Sequence, residues 1–260
     1  MTKPSSAFSG ARIAVTRPAG QAAALIERIR TAGGEAIALP LLEIAPPTIP
    51  VTAAELRHQA QQANRAIFIS PNAVRMALNI LPARDWPANT RLTAIGKGTA
   101  RALHEAGFPD VLTPHDGADS ETLLALPEFA DIHGQTILII RGEGGRELLA
   151  KTLENRGAKL AHAIVYRRQP RPPSIDRLRA TESTIFVVTS SEALRVLLDA
   201  AHNEHDVQWL RAQRFVFGHP RIAQLGRTHG LVHGIIVERP EDDALYSALV
   251  SLIALEEKPA

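Results

Sequence analysis

The sequence predicts an α/β protein of two similar domains, with parallel sheets flanked by helices, an extended connector, and a ligand cleft beside the domain junction. Three observations point there. Short apolar runs such as AIFIS, ILII and IFVV alternate with segments whose apolar residues recur at helical spacing, which is the pattern of βα units. Two stretches of the chain repeat one another in order and spacing. Pro-rich segments break the alternation at residues 39–47 and 170–173.

Residues 1–10 read as a disordered lead-in. ARIAV (11–15) is a strand, Pro18 suits a first helical position, and Leu25, Ile26 and Ile29 form the stripe of a helix closed by Gly33 and Gly34. A strand at 36–39 completes a βαβ unit, which requires parallel strands and a right-handed crossover. LPLLEIAPP (39–47) is too rich in Pro for a central strand and too apolar for a free linker, so it reads as the connector. A helix over 52–62 precedes AIFIS (66–70), where Ser70 is the natural N-cap of a helix running from Pro71 through residue 81. Residues 91–95 are the next strand, Gly96-Lys97-Gly98-Thr99 the next turn, and a helix follows to Gly107. Val111-Leu112 and a Ser120-capped helix continue the alternation.

ILII (137–140) is a strand, the run from Arg141 to Gly145 a backbone-rich turn, and Leu148, Leu149 and Leu153 mark a helix stopped by Gly157. A second strand ends at Tyr166-Arg167-Arg168. Beyond the Pro break come a short helix near Ile175, the strand TIFVV (184–188), the turn Thr189-Ser190-Ser191 and a helix through 198. RFVF (214–217), Gly218-His219-Pro220, a helix to Gly230, LVHGIIV (231–237) as last strand and a helix over 242–254 complete the chain.

The repeat pairs the sixteen-residue step from Arg17 to Gly33 with that from Arg141 to Gly157. It also pairs IFISPNAVRMAL with FVVTSSEALRVLL. Gly96 follows Ser70 by 26 residues and Gly218 follows Ser190 by 28, so similar order and spacing suggest a duplication.

At 260 residues, the chain can bury a core as one large or two small domains. Contents of 45% hydrophobic and 22% charged residues exclude a disordered, collagenous or coiled-coil chain. The absence of cysteine excludes disulfides, thiolate nucleophiles and Cys-ligated metal centres. The opening residues hold no apolar signal region, and no stretch approaches the ~20 apolar residues of a membrane span, so a cytoplasmic protein without a membrane partner is expected. A formal net charge of +2 does not point to nucleic acid. Residues 137–179, however, carry ten Lys or Arg against four Asp or Glu, a balance that suits an anionic ligand as well as a solvated helix face.

The six strand-to-helix turns, at Arg17, Ser70, Gly96, Arg141, Ser190 and Gly218, fall at strand C-terminal ends, where α/β sheets bind ligands. Each offers unpaired helix N-terminal amides, and two facing sets would line a cleft with anion sockets. Such a cleft favours a wide ligand with several negative charges. Nucleotide motifs fit poorly: Gly96-Lys97-Gly98-Thr99 has Arg91 where a P-loop has its first Gly, and Glu147 takes the last position of a dinucleotide fingerprint begun by Gly142 and Gly144. No cofactor is expected. His202 with His205, and His229 with His233, lack a completing carboxylate, so they read as surface or capping residues and no metal site is expected. Ser190 lacks the flanking glycines of a nucleophile elbow, and capping explains it. Tyr166, beside Arg167 and Arg168, serves equally as an acid near an anionic ligand or as a packing tyrosine.

In their order and spacing, IAVTRP, LPLLEI, IFISPNAV, AIGKGTARAL, ILIIRGEGGRELL, VYRR, VVTSSEAL and GHPRIAQLG resemble the uroporphyrinogen-III synthase family over nearly the whole chain. The resemblance implies two flavodoxin-like α/β domains joined by a two-stranded connector. The first comprises 1–38 with 172–260, the second 46–163, and the connecting strands are 39–45 and 164–171. It also implies that the two repeats cross between the domains. Two domains joined by two narrow connectors should hinge, since such interfaces are usually small, so substrate-dependent closure is expected.

The activity so implied is cofactor-free closure of hydroxymethylbilane, a linear tetrapyrrole with eight carboxylates, on the route to haem, sirohaem and cobalamin. The ring A hydroxyl leaves, the substituted carbon of ring D attacks to give a spiro intermediate, and fragmentation and reclosure invert ring D. Uncatalysed, the precursor closes to the symmetric type I isomer, so the demand falls on positioning and on one weak acid. Carried over by motif, Tyr166 is the candidate acid. Candidate substrate contacts are Ser70, Asn72, Gly96, Lys97, Gly98, Thr99 and Gly142 in one set, and Thr189, Ser190, Ser191, Gly218, His219 and Arg221 in the other. Arg17, Arg141 and Arg146 are expected to act electrostatically or structurally. Many relatives carry a hydroxyl residue where this chain has Arg221, so no hydroxyl role is expected there. A monomer in transient contact with the enzyme that makes hydroxymethylbilane is expected. The alternative is a non-catalytic two-domain module that binds a tetrapyrrole or other polycarboxylate, because the chemistry asks little of single side chains.

Overall fold

The computed structural model describes residues 8, 10–117, 119–144, 147–180 and 185–254. The chain divides into two compact units, Met1–Glu43 with Gln169–Ala260, and Ile44–Arg168. The first opens with β1 (Arg12–Val15), α1 (Ala19–Thr31) and β2 (Glu35–Ala38), and β3 (Leu42–Ala45) carries the chain onward. The second holds α2 (Ala53–Gln62), β4 (Arg65–Phe68), α3 (Pro71–Ile80), β5 (Arg91–Ala94), α4 (Lys97–Glu105) and β6 (Val111–Leu112). It continues with α5 (Ser120–Leu124), β7 (Thr136–Gly142) and α6 (Leu148–Asn155), and β8 (Lys159–Pro170) carries the chain back. The return comprises α7 (Ile175–Ala180), β9 (Ile185–Val188), α8 (Ser191–Asp199), α9 (Glu204–Arg211), β10 (Arg214–Phe217), α10 (Pro220–Thr228), β11 (Gly234–Ile236) and α11 (Asp242–Ala254). Among the described residues no helix is long and apolar enough to cross a membrane.

The first sheet runs β2-β1-β9-β10-β11 with every pair parallel. Numbered within its unit this is 2-1-3-4-5, the flavodoxin-like order. The second sheet runs β3-β8-β7-β4-β5-β6, and its four pairs from β8 to β6 are parallel. Counted from β7, those five strands again read 2-1-3-4-5. The second unit is thus a circular permutation of the first, in which β7 and β8 stand where β1 and β2 do, and β4, β5 and β6 where β9, β10 and β11 do. The turns paired in the repeat occupy equivalent strand ends, which generic βα periodicity alone would not require.

Both sheets bury their two faces, as parallel sheets must. Alternate residues of one strand enter different cores: Leu138 and Ile140 pack with Phe68, Val74 and Leu103, whereas Ile137 and Ile139 pack with Ile67, Leu123 and Phe129. In the first sheet Phe186 and Val188 face one core, Ile185 and Val187 the other. Helix starts follow their caps. Ser70 Oγ accepts the Ala73 N–H at 3.0 Å, Ser190 Oγ that of Ala193 at 3.4 Å, and Thr52 and Glu55 form a capping box at the start of α2.

Four details depart from expectation. Phe8 is fully buried with its ring edge-on to Tyr246 at 5.1 Å, so it belongs to the core rather than to a disordered lead-in; residues 1–7 and 9 lie outside the described set. Asp119, not Ser120, caps α5, because its carboxylate accepts the Thr122 N–H at 2.8 Å and the Thr122 hydroxyl reaches back. Helix α9 has no counterpart in the sequence reading; Asn203 starts it by accepting the Asp206 N–H at 2.9 Å. The last strand is only three residues long, since Leu231 is drawn into the core and the strand begins at Gly234, where a β-carbon would lie 2.6 Å from the Phe215 carbonyl oxygen.

Candidate functional site

Strands β7 and β8 pair in parallel with Arg141 opposite Ile164, and then Gly142 opposite Tyr166. One extra residue on β8, a β-bulge, produces this step and changes which side chain meets the partner strand. It sets the Tyr166 ring over Gly142, where a β-carbon would lie 2.6 Å from two ring atoms. The Glu143 N–H donates to the Tyr166 carbonyl at 2.8 Å and closes the bulge. The ring is 4% exposed, among the side chains between the sheet and α3. Its hydroxyl reaches past β7 to lie 3.2 Å from Ser70 Oγ, at the C-terminal end of strand β4. Ser70 Oγ already accepts the Ala73 N–H, so the seryl hydroxyl is oriented by the helix it caps.

The turn after β7 is occupied by its own side chains. Arg141 Nη2 donates to the Gly144 carbonyl, and the Glu143 carboxylate accepts from the Thr48 N–H and, at 3.1 Å, from the Thr48 hydroxyl. The Thr48 backbone N–H, then its hydroxyl, hold the Glu143 carboxyl below its ordinary value, and the Arg167 charge acts in the same direction. On β8, partial burial and then the Arg141 charge lower His162 below 6.5, against weaker pulls from Glu154 and Glu147.

In the first unit, the turns after β9 and β10 enclose a shallow pocket of about 240 Å³ lined by Thr189, Ser190, Ser191, Gly218, His219 and Arg221, with Ile222 and Pro240. Gly218 belongs there for steric reasons, since a β-carbon would meet Thr189 and Pro240 at 3.0 Å. His219 Nδ1 accepts the Arg221 N–H at 3.1 Å and so caps α10. A neutral His219 therefore carries its proton on Nε2. Arg17 is tied elsewhere: Nη1 lies 2.5 Å from Asp242 Oδ1, and Nη2 donates to the Pro240 carbonyl. Its pair sits in the first turn of α11, where a carboxylate is favoured by the helix N-terminus.

A family model described as uroporphyrinogen-III synthase HemD matches residues 23–247. The chain belongs to the uroporphyrinogen-III synthase family. It is 35% identical to the uroporphyrinogen-III synthase of Escherichia coli K12 over 91% of this chain and 99% of that one. Against the Salmonella typhimurium protein of the same name the identity is 36%, with the same shares covered. Among solved structures, a mutant uroporphyrinogen III synthase from Thermus thermophilus superimposes with a TM-score of 0.62 at 20% identity, covering 96% of this chain and 100% of that one. The Helicobacter pylori 26695 uroporphyrinogen-III synthetase gives 0.61 at 18%, covering 93% and 99%. These two show the shared α/β fold.

In this member of the uroporphyrinogen-III synthase family the structure gathers six of the expected contacts, Thr189, Ser190, Ser191, Gly218, His219 and Arg221, around one pocket. In the second unit the helix starts of α3 and α4 are neighbours, since a β-carbon on Gly98 would stand 4.0 Å from Pro71. Lys97 is exposed and lies 3.8 Å from Asp116, a surface pair that contributes little to stability. Gly96 caps α4 in extended backbone. Thr99 is 2% exposed and packs inward, while Asn72 Oδ1 accepts from Arg75 at 3.2 Å. Arg146 lies outside the described residues. Sequence reasoning missed Glu143 and Thr48, whose pairing spans 95 residues without a local motif.

Proposed function

We propose that the chain catalyses the uroporphyrinogen-III synthase reaction, closing hydroxymethylbilane to uroporphyrinogen III with inversion of ring D and loss of one water. Family membership over most of the chain supports the activity. The mechanism rests on one observation, the Tyr166 ring seated on Gly142 with its hydroxyl 3.2 Å from Ser70 Oγ at the C-terminal edge of the sheet. Tyr166 gives its proton to the ring A hydroxyl, the C–O bond breaks and water departs. The substituted carbon of ring D bonds the electrophilic methylene to form the spiro intermediate, which fragments and recloses with ring D inverted. The proton lost as the pyrrole regains aromaticity restores the phenol. While Tyr166 is a phenolate, the Ser70 hydroxyl, held by the Ala73 N–H, donates to its oxygen.

Binding falls to the turns of each unit. Thr189, Ser190, Ser191, Gly218, His219 and Arg221 offer amides, hydroxyls and a cation to substrate carboxylates in the first, and Ser70, Asn72, Gly96, Lys97 and Gly98 do so in the second. Thr99 supports the α4 start from within. Arg17 and Arg141 shape their turns and the local potential. We infer a cytoplasmic monomer, and one that receives its substrate from the enzyme making it, because hydroxymethylbilane left in water closes to the type I isomer. The non-catalytic alternative is set aside, since relatives covered almost end to end are named as synthases.

The test adds purified protein to freshly generated hydroxymethylbilane, oxidises the products and separates the isomers. Predominant type III at catalytic protein concentration is expected. Type I alone, from protein with an intact circular-dichroism spectrum, would sink the reading.

A further inference from the structure

The second unit contains a larger cavity, of about 790 Å³, at the other edge of its sheet. Buried Arg65 and exposed Arg91, the first residues of β4 and β5, line it together with Trp86 and Phe108. The strands are parallel, so this edge is opposite the turns at Ser70 and Gly96, and the run from Arg65 to Ser70 covers about 16 Å.

Among the described residues two buried donors lack an acceptor, Arg65 Nε and the Trp86 indole N–H. Arg65 and Arg91 are direct neighbours in the β4/β5 register, and like charges in that position repel. Arg65 is 5% exposed; Nη1 donates to Thr93 Oγ1 at 3.1 Å, the guanidinium lies 5.0 Å from the Phe129 ring centre, and Nε has no hydrogen-bond acceptor. Burial and the Arg91 charge both disfavour its cationic form, and Glu128 only partly opposes them. The acids that line the cavity, Glu128 and Asp110, are exposed and screened by water. The Trp86 indole N–H is also buried without a partner. A buried guanidinium left without a carboxylate is costly, and a guanidinium is the side chain best suited to hold a planar anion.

We propose that this cavity binds a planar aromatic anion, with its ring against Trp86 and Phe108 and its anionic group on the Arg65–Arg91 pair. The aromatic walls supply stacking and edge contacts, and the arginine pair supplies charge-assisted hydrogen bonds. The site is separate from the residues assigned to the reaction, and the inference does not depend on that assignment.

The sequence holds two tryptophans, Trp86 and Trp209, so Trp209→Phe leaves Trp86 as the sole indole reporter. The probe is 8-anilinonaphthalene-1-sulfonate, with the neutral N-phenyl-1-naphthylamine as the control lacking the anion. Saturable 1:1 binding that quenches Trp86 emission is expected, with affinity at least about tenfold weaker in Arg91→Gln and unchanged for the neutral analogue. Arg91 is exposed, so this variant tests charge without disturbing the core. Sulfonate binding that leaves Trp86 emission unquenched, or equal affinity in Arg91→Gln, would overturn the proposal. So would failure of 1-naphthoate to displace the probe from the wild-type protein.

Discussion

A β-carbon on Gly142 would lie 2.6 Å from Cε2 and Cζ of Tyr166, so this glycine is the seat of the phenol ring. The bulge that brings the two together also aims the hydroxyl at Ser70. Gly142→Ala is expected to push the ring off its seat and lower the kcat for type III formation at least about tenfold. Overpacking of this kind costs about 1–3 kcal/mol, readable in urea unfolding. Wild-type turnover in a folded Gly142→Ala protein would separate the ring's placement from the reaction.

Tyr166→Phe keeps the ring and removes the proton. A general acid contributes roughly 10²-fold or more, so kcat is expected to fall by about that factor with KM little changed. Steady-state assay of the type III product measures it. Full turnover with an unchanged melting temperature would remove Tyr166 as the acid.

Arg17 and Arg221 are expected to respond differently. Arg17→Met removes a charge-assisted hydrogen bond to Asp242 in a partly buried setting and should cost about 1–3 kcal/mol of stability, with Asp242→Asn costing a similar, non-additive amount. Arg221 is exposed at the pocket, and Arg221→Ala should raise KM about threefold to tenfold while leaving stability within about 0.5 kcal/mol. An Arg17 variant that raises KM but unfolds like wild type would make it a ligand contact instead.

Stability should fall with acid in two windows. His162 has a folded value below 6.5, so the unfolded chain binds more protons, and stability is lost as pH drops from 6.5 to the folded value. Glu143 has a folded value below 4.5, so its contribution is present above 4.5 and is lost as pH falls through the folded value. Urea midpoints across pH should flatten in the upper window for His162→Gln and in the lower for Glu143→Gln. Profiles parallel to wild type in both variants would contradict these assignments.

What was legible follows from the range of the interaction. Ser70 and Ser190 are readable as caps because a cap joins residues three apart in the chain. Asp119 and Ser120 are both capping types, and only the extended backbone at Asp119 chose between them. Helix α9 escaped notice because its sequence is mostly polar and buries little beyond Leu210 and Asp206. The electrostatic or structural role expected of Arg17 and Arg141 left their partners unnamed: Arg141 bonds Gly144 within its own turn, whereas Arg17 reaches Pro240 and Asp242, 223 and 225 residues away.

The sequence by itself determined the alternation of buried strands with amphipathic helices, the turns at strand ends and the internal repeat, since each depends on patterns within a few residues or on direct self-similarity. Only the tertiary structure decided the strand order of each sheet, the bulge that seats Tyr166 on Gly142, and the pairs Ser70–Tyr166 and Arg17–Asp242, which lie 96 and 225 residues apart. Those depend on register and packing, where a one-residue slip turns a side chain to the other face of the sheet and leaves the local sequence pattern unchanged.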